Sequence, residues 1–219
     1  METSQLIHEL AGRTQPVRRL ASPWQRSAIW FAISVLYALA VILVQPLAFK
    51  QWQLETRFVI EQTATIATAV TAAIAAFWSV VPGSDRRWVL LPAAPLAVWL
   101  AMLGKACVGD WLQLGWAGLA LGTDWDCVWL AAIVGFVPAA AIVIMLRRGA
   151  PMVPRTSLAL AAVAVAAFAN FAIRLHHPGG IGITILAWHF GMVALLACIA
   201  ALVARHVLKW PRVQGVMRG

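Results

Sequence analysis

Six long apolar stretches separated by short polar connections run through the 219-residue chain and leave little freedom in its architecture. They extend from Ala28 to Leu47, Ile60 to Val81, Trp88 to Ala106, Cys127 to Leu146, Thr156 to Arg174 and Ile181 to Ala204. Each is about 18 to 24 residues long, close to the ~20 that a helix rising 1.5 Å per residue needs to cross about 30 Å of hydrocarbon. The expected fold is an all-α polytopic membrane bundle of six transmembrane helices over residues 28–204. Residues 1–27 precede it, and residues 205–219 form a basic tail.

The charges say which way such a bundle inserts. With the N-terminus inside, the inner segments carry Arg13, Arg18, Arg19, Arg26, Arg86, Arg87, Arg147, Arg148, Arg155, Arg205, Lys209, Arg212 and Arg218, which are thirteen of the 17 basic residues. The outer segments keep Lys50, Arg57, Lys105 and Arg174, together with Glu55, Glu61, Asp110, Asp124 and Asp126. A Lys and Arg bias of this kind sets orientation, so both termini are expected in the cytoplasm.

Composition excludes several classes. With 62% apolar and 11% charged residues, the chain is far from the roughly 25% charged of soluble domains. Its net charge of +9 is scattered in pairs beside apolar segments, without a continuous basic stripe, so inner-leaflet headgroups explain it better than nucleic acid. The first apolar stretch follows 27 mostly polar residues and has no small-residue cleavage signal behind it, which makes it a retained span. Three cysteines with no C-x-x-C pair support neither a disulfide framework nor a zinc finger.

Residues 1–27 are the one sizeable segment able to leave the bilayer. Thr3 or Ser4 can cap a short helix in which Leu6, Leu10 and Val17 recur at helical spacing beside Ile7, ending before Pro16. Its apolar face suits either the membrane surface or the groove of a partner protein.

Within the spans, Ala64, Thr68, Ala72 and Ala76 in the second, and Ala162, Ala166 and Asn170 in the fifth, form ridges of small residues for close helix approach. Pro92 and Pro95 should kink the third span and Pro138 the fourth. The outer connection from Cys107 to Asp126 alternates Trp111, Leu112, Leu114, Trp116 and Leu119 with glycines, a pattern suited to the membrane interface.

Candidate chemistry is sparse. No span holds a carboxylate near its centre, and there is no H-E-x-x-H or Walker motif. Lys105 and Arg174 sit near outer span ends, where they can snorkel; His189 lies within the sixth span. Asp124, Asp126, Cys127, His176 and His177 gather oxygen, sulfur and nitrogen donors at the outer face, where three helices could bring a metal ligand set together. Cys107 and Cys127 share that boundary and could pair, whereas Cys198 reads as a small thiol filling a helix contact. Thr63, Thr65, Thr68 and Thr71, with the prolines, leave a small transporter or channel as the alternative, and a structural assembly subunit as a third reading.

Ordered motifs along the chain point further. Leu6 to Leu10, Pro16-Val17-Arg18-Arg19-Leu20, Pro23-Trp24-Gln25-Arg26, Val81-Pro82-Gly83, Arg86-Arg87-Trp88, Asp110-Trp111-Leu112, Gly118-Leu119-Ala120-Leu121-Gly122, Arg147-Arg148-Gly149-Ala150-Pro151 and Trp188-His189 resemble the NrsF-like membrane anti-sigma factors over nearly the whole length. The resemblance implies a non-enzymatic bacterial inner-membrane protein that holds an extracytoplasmic-function sigma factor through its N-terminal cytoplasmic segment. Contact residues would be Leu6, Ile7, Leu10, Pro16, Val17, Arg18, Arg19, Leu20, Trp24 and Arg26. It also implies release under oxidative or metal stress, with Cys127 matching an outward cysteine of the family. His177 stands where the family's second cysteine would be. Cys127 pairing with Cys107, Cys127 acting with His177 on a transient metal ion or oxidising singly, and a different signal all remain open; no resident cofactor is expected.

Overall fold

The structure is a computed structural model that describes residues 3–13, 20–44, 56–119, 125–149, 152–176 and 191–208, and all its elements among these residues are helical. The helices are α1 (Thr3–Arg13), α2 (Pro23–Val44), α3 (Thr56–Trp78), α4 (Ala93–Leu114), α5 (Trp125–Arg147), α6 (Pro154–His176) and α7 (Gly191–Val207), with single 3-10 segments at Arg86–Leu90 and Gly115–Leu119. Five units are long and apolar enough to cross a bilayer: α2, α3, the Arg86–Ala117 unit around α4, α5 and α6. α7 is shorter, at 17 residues, and the outer part of the expected sixth stretch, residues 181–190, lies outside the described residues.

Local chemistry sets the ends. α2 starts at Pro23, upstream of the expected Ala28, because Ser22-Pro23-Trp24-Gln25 is a capping box with proline at the first helical position. Ser22 Oγ accepts from the Gln25 amide at 3.3 Å, and the Ser22 amide donates to Gln25 Oε1 at 3.2 Å. The expected kinks of Pro92 and Pro95 do not occur. Pro92 precedes α4 and Pro95 falls in its first turn, where no intrahelical donor is missed. At its other end α4 continues past Ala106 to Leu114, so the first part of the connection expected in the interface is helix; there the Gly115 amide closes the last turn on the Trp111 carbonyl.

Pro138 does lie inside α5, and α2 braces that helix on both sides of it. Trp30 Nε1 donates to the Pro138 carbonyl at 2.9 Å and the Tyr37 hydroxyl to the Ile133 carbonyl at 3.0 Å. Both bonds fasten α5 to α2 around its proline, while the carbonyl that Pro138 deprives of its helical donor is that of Val134.

α3 and α6 form the centre. Their apolar windows are 56% and 67% buried, against 22% for α2, and the α3–α6 contact is the most extensive between any two helices. On α3 the ridge of Ala64, Thr68, Ala72 and Ala76 is buried as the spacing predicts. On α6 Ala166 and Asn170 of the expected ridge are buried and Ala162 is half-buried, and Ser157, Ala161, Ala164 and Phe168 are packed more fully still. Steps of three and four both keep residues on one face of a 3.6-residue helix. Outward-facing Leu36, Leu43, Phe136, Leu195 and Leu202 leave the periphery apolar.

The inner turns explain two glycines. Gly83 has φ +76°, a conformation that side chains with a Cβ rarely adopt, and it reverses the chain after α3. Gly149 sits so close to the turn after α3 that a Cβ there would lie 2.7 Å from Val80 Cγ2. Gly149→Ala should destabilise the bundle by about 1–3 kcal/mol, the usual consequence of overpacking. Thermal unfolding in detergent checks this, with Val80→Ala expected to recover part of the loss in the double variant because the two sites are in contact.

Candidate functional site

Two regions at opposite ends of the bundle collect the polar and aromatic groups. At one end, α1 carries Ile7 at 63% exposure, and among the described residues none of the extensive helix–helix contacts involves it. The side chains of Leu6 and Leu10, and all of Pro16, Val17, Arg18 and Arg19, lie outside the described residues. Leu20 is half-exposed where the chain enters α2.

Trp24, one turn further, is half-exposed and meets Trp88 edge-on with ring centroids 6.0 Å apart. Trp88 in turn stacks flat on Trp78 at 4.7 Å and 3°. This row of three indoles ties the start of α2 to the end of α3 through the Arg86–Leu90 turn, which Asp85 caps by accepting from the Arg87 amide at 2.9 Å.

Arg26, expected on the partner-facing segment, is instead only 4% exposed. Its guanidinium lies 4.5 Å over the Phe77 ring and donates through Nη2 to the Met145 carbonyl, which joins α2, α3 and α5. Helix α2 begins early enough to turn Arg26 inward, whereas a first span starting at Ala28 would have left it on the segment outside the bundle. Beside it, Arg147 Nε donates to the Val207 carbonyl at 2.7 Å and covers the C-terminus of α7.

At the opposite end the structure corrects the sequence reading of two charges. Arg174 does not snorkel and Glu61 is not a loop acid. Both are buried, at 7% and 3% exposure, and face each other across the α3–α6 seam. Arg174 Nε donates to Glu61 Oε1 at 3.2 Å and Nη2 to Oε2 at 3.4 Å, a two-pronged pair. Asn170 is buried on α6 one turn away, and Gln62 on α3 is 7% exposed with neither amide atom hydrogen-bonded among the described residues. Lys105 is exposed, in keeping with a snorkelling position.

The sensing candidates occupy the same end in sequence. Cys127 is in the first turn of α5 and His176 closes α6, but their side chains, and all of His177 and His189, lie outside the described residues. Cys107 is a free, half-buried thiol on α4. Cys198 corrects an expectation: it is exposed on α7, on the outward face of Leu195, Ile199 and Leu202, and fills no helix contact. The threonines that suggested a conduction path direct their hydroxyls to their own helix. Thr63, Thr65, Thr68 and Thr71 donate to the carbonyls of Val59, Glu61, Ala64 and Ala67 at 2.6–2.8 Å.

The family model for NrsF, negative regulator of sigma F, matches residues 10–210. The chain belongs to this family. It is thus a negative regulator whose partner is a sigma factor, and the motifs resembling the family acquire structural roles: the capping box at Ser22, the Gly83 turn, the Trp88 stack and the Gly149 contact. No curated protein and no solved structure matches the chain.

Removing one partner of a buried ion pair strands the other charge, a loss of about 3–5 kcal/mol, whereas replacing both is often close to neutral. Glu61→Gln and Arg174→Met should each lower stability strongly, and the double variant should lose much less than the two together. Chemical denaturation in detergent measures the difference; additive losses would mean that the two residues do not act as a pair.

Proposed function

We propose that this protein is a multi-pass inner-membrane anti-sigma factor that sequesters an extracytoplasmic-function sigma factor through residues 1–27. Six spans with both termini in the cytoplasm place that segment beside RNA polymerase, and the Lys and Arg asymmetry supports this orientation. The observation that carries the reading is α1: an amphipathic helix at the head of a family-matched bundle, with Ile7 uncovered and, among the described residues, outside the extensive helix–helix contacts. A short helix with one apolar face is the element that a partner's groove accepts at i and i+3/i+4 anchors. Leu6, Ile7 and Leu10 make the core of that contact, with Pro16, Val17, Arg18, Arg19, Leu20 and Trp24 extending it; Arg26 anchors the segment to the bundle.

Release begins at the outer face. Oxidation of Cys127, or capture of a metal ion by Cys127 with His177, shifts α5 against α6 and biases a two-state bundle. Carrying such an equilibrium from 1:99 to 99:1 requires about 5.5 kcal/mol of preference. The Glu61–Arg174 pair near the end of α6 is worth a comparable amount when broken, so a displacement that separates it is large enough to matter. The threonine hydroxyls bonded within α3 lend no support to a conduction path.

Co-purification of the sigma factor with membranes containing Ile7→Asp, or the triple change of Leu6, Ile7 and Leu10 to Asp, should recover much less factor than wild type. Equal recovery defeats the contact face. In cells challenged with oxidant or a soft metal, Cys127→Ser should blunt induction of the sigma regulon, and an unchanged response removes Cys127 from the mechanism.

A further inference from the structure

At the inner end, α2 and α5 diverge to form a groove of about 750 Å³, within the range of small-molecule sites. Its walls are Ile29 and Ile33 of α2 and Ala141, Ile144 and Met145 of α5. Two arginines stand in it: Arg26, buried at the base, and Arg148, exposed at the rim. Among the described residues neither is ion-paired with a carboxylate; the contacts of Arg26 are a carbonyl and a phenyl ring.

A guanidinium that is 96% out of solvent and beside another positive charge is a costly arrangement without an anion. The planar fork of arginine fits a phosphate, and basic pockets between helices at the inner boundary are suited to anionic headgroups. The apolar wall decides the source. Ile29, Ile33 and Ile144 are partly uncovered, at 51%, 37% and 53% exposure, and run from the arginines toward the middle of the spans, where free phosphate would leave them without a ligand but an acyl chain would lie along them.

We propose that this groove binds one anionic phospholipid, its phosphate between Arg26 and Arg148 and one acyl chain against Ile29, Ile33 and Ile144. The inference rests on the membrane reading above. Leu20 and Ala21 line the same groove, so the bound lipid touches the residues that lead into α2.

The test uses the full chain in mild detergent, titrated with phosphatidylglycerol, phosphatidylcholine or inorganic phosphate and read by native mass spectrometry. Wild type should retain one phosphatidylglycerol in preference to phosphatidylcholine. Arg148→Gln, at an exposed position that leaves the fold intact, should weaken that retention about fivefold, while Arg155→Gln, exposed at the start of α6, should not. Equal loss in the two variants, no headgroup preference, binding of inorganic phosphate alone, or a dimer that excludes lipid each overturns the site. Alkaline carbonate extraction separates the two failures. Release of the chain from membranes sinks the membrane reading and the site with it, whereas retention in the membrane with wild-type lipid binding by Arg148→Gln sinks the site alone.

Discussion

The contact between α3 and α6 is what the remaining helices are arranged around. It is made almost entirely of small side chains, whose low bulk lets the backbones approach closely. Packing of alanine alone would leave the register along the seam loosely specified. Two polar contacts fix it: Ser79 Oγ donates to Ser157 Oγ at 2.7 Å near one end, and Glu61 pairs with Arg174 near the other. They lie about 26 Å apart along the axis by the 1.5 Å rise per residue, so the antiparallel pair is pinned over nearly its full length. α4, α5, α7 and the start of α2 then pack against a fixed core.

Polar groups elsewhere follow the same economy. Few side chains between the helices can hydrogen-bond, and those that can are directed at backbone carbonyls of a neighbouring or preceding turn: Trp30 and Tyr37 at α5, Ser27 and Ser34 within α2, Arg26 at Met145, Arg147 at Val207. Gln62, buried beside Glu61, and the indole nitrogens of Trp78 and Trp99 depart from this, with no hydrogen-bond partner among the described residues, and each such group leaves about 1–3 kcal/mol unrecovered. The seam is therefore tight in its middle and polar at both ends. At the end of the bundle that holds Ser79 and Ser157, the indole row and Arg26 join α3 and α5 to the start of α2.

Much of this was legible in the amino-acid order. Hydropathy located the five long helices because the requirement to fill a bilayer is local, and the four-residue spacing from Ala64 to Ala76 announced a buried face for the same reason. Ser22-Pro23-Trp24-Gln25 was also a readable signal, a capping box that would have placed the start of α2 correctly. The Glu61–Arg174 pair was not legible as a contact, because it depends on which spans are neighbours. A hint existed in opposite charges just inside the outer ends of two apolar stretches. Cys198 was misplaced for a related reason: periodicity shows that a helix has two faces, not which one meets a partner. Cys127 falls in the first turn of α5 and His176 at the end of α6, whereas their side chains and His177 lie outside the described residues.

Everything functional depends on the compartment into which α1 projects. Fusing alkaline phosphatase or a green fluorescent reporter to Met1, in the full-length chain expressed in bacteria, measures this directly. The account predicts a fluorescent and phosphatase-inactive N-terminus, on the side where a sigma factor is found. An active phosphatase at Met1 would contradict it, because the segment assigned to hold the factor would then be across the membrane from it.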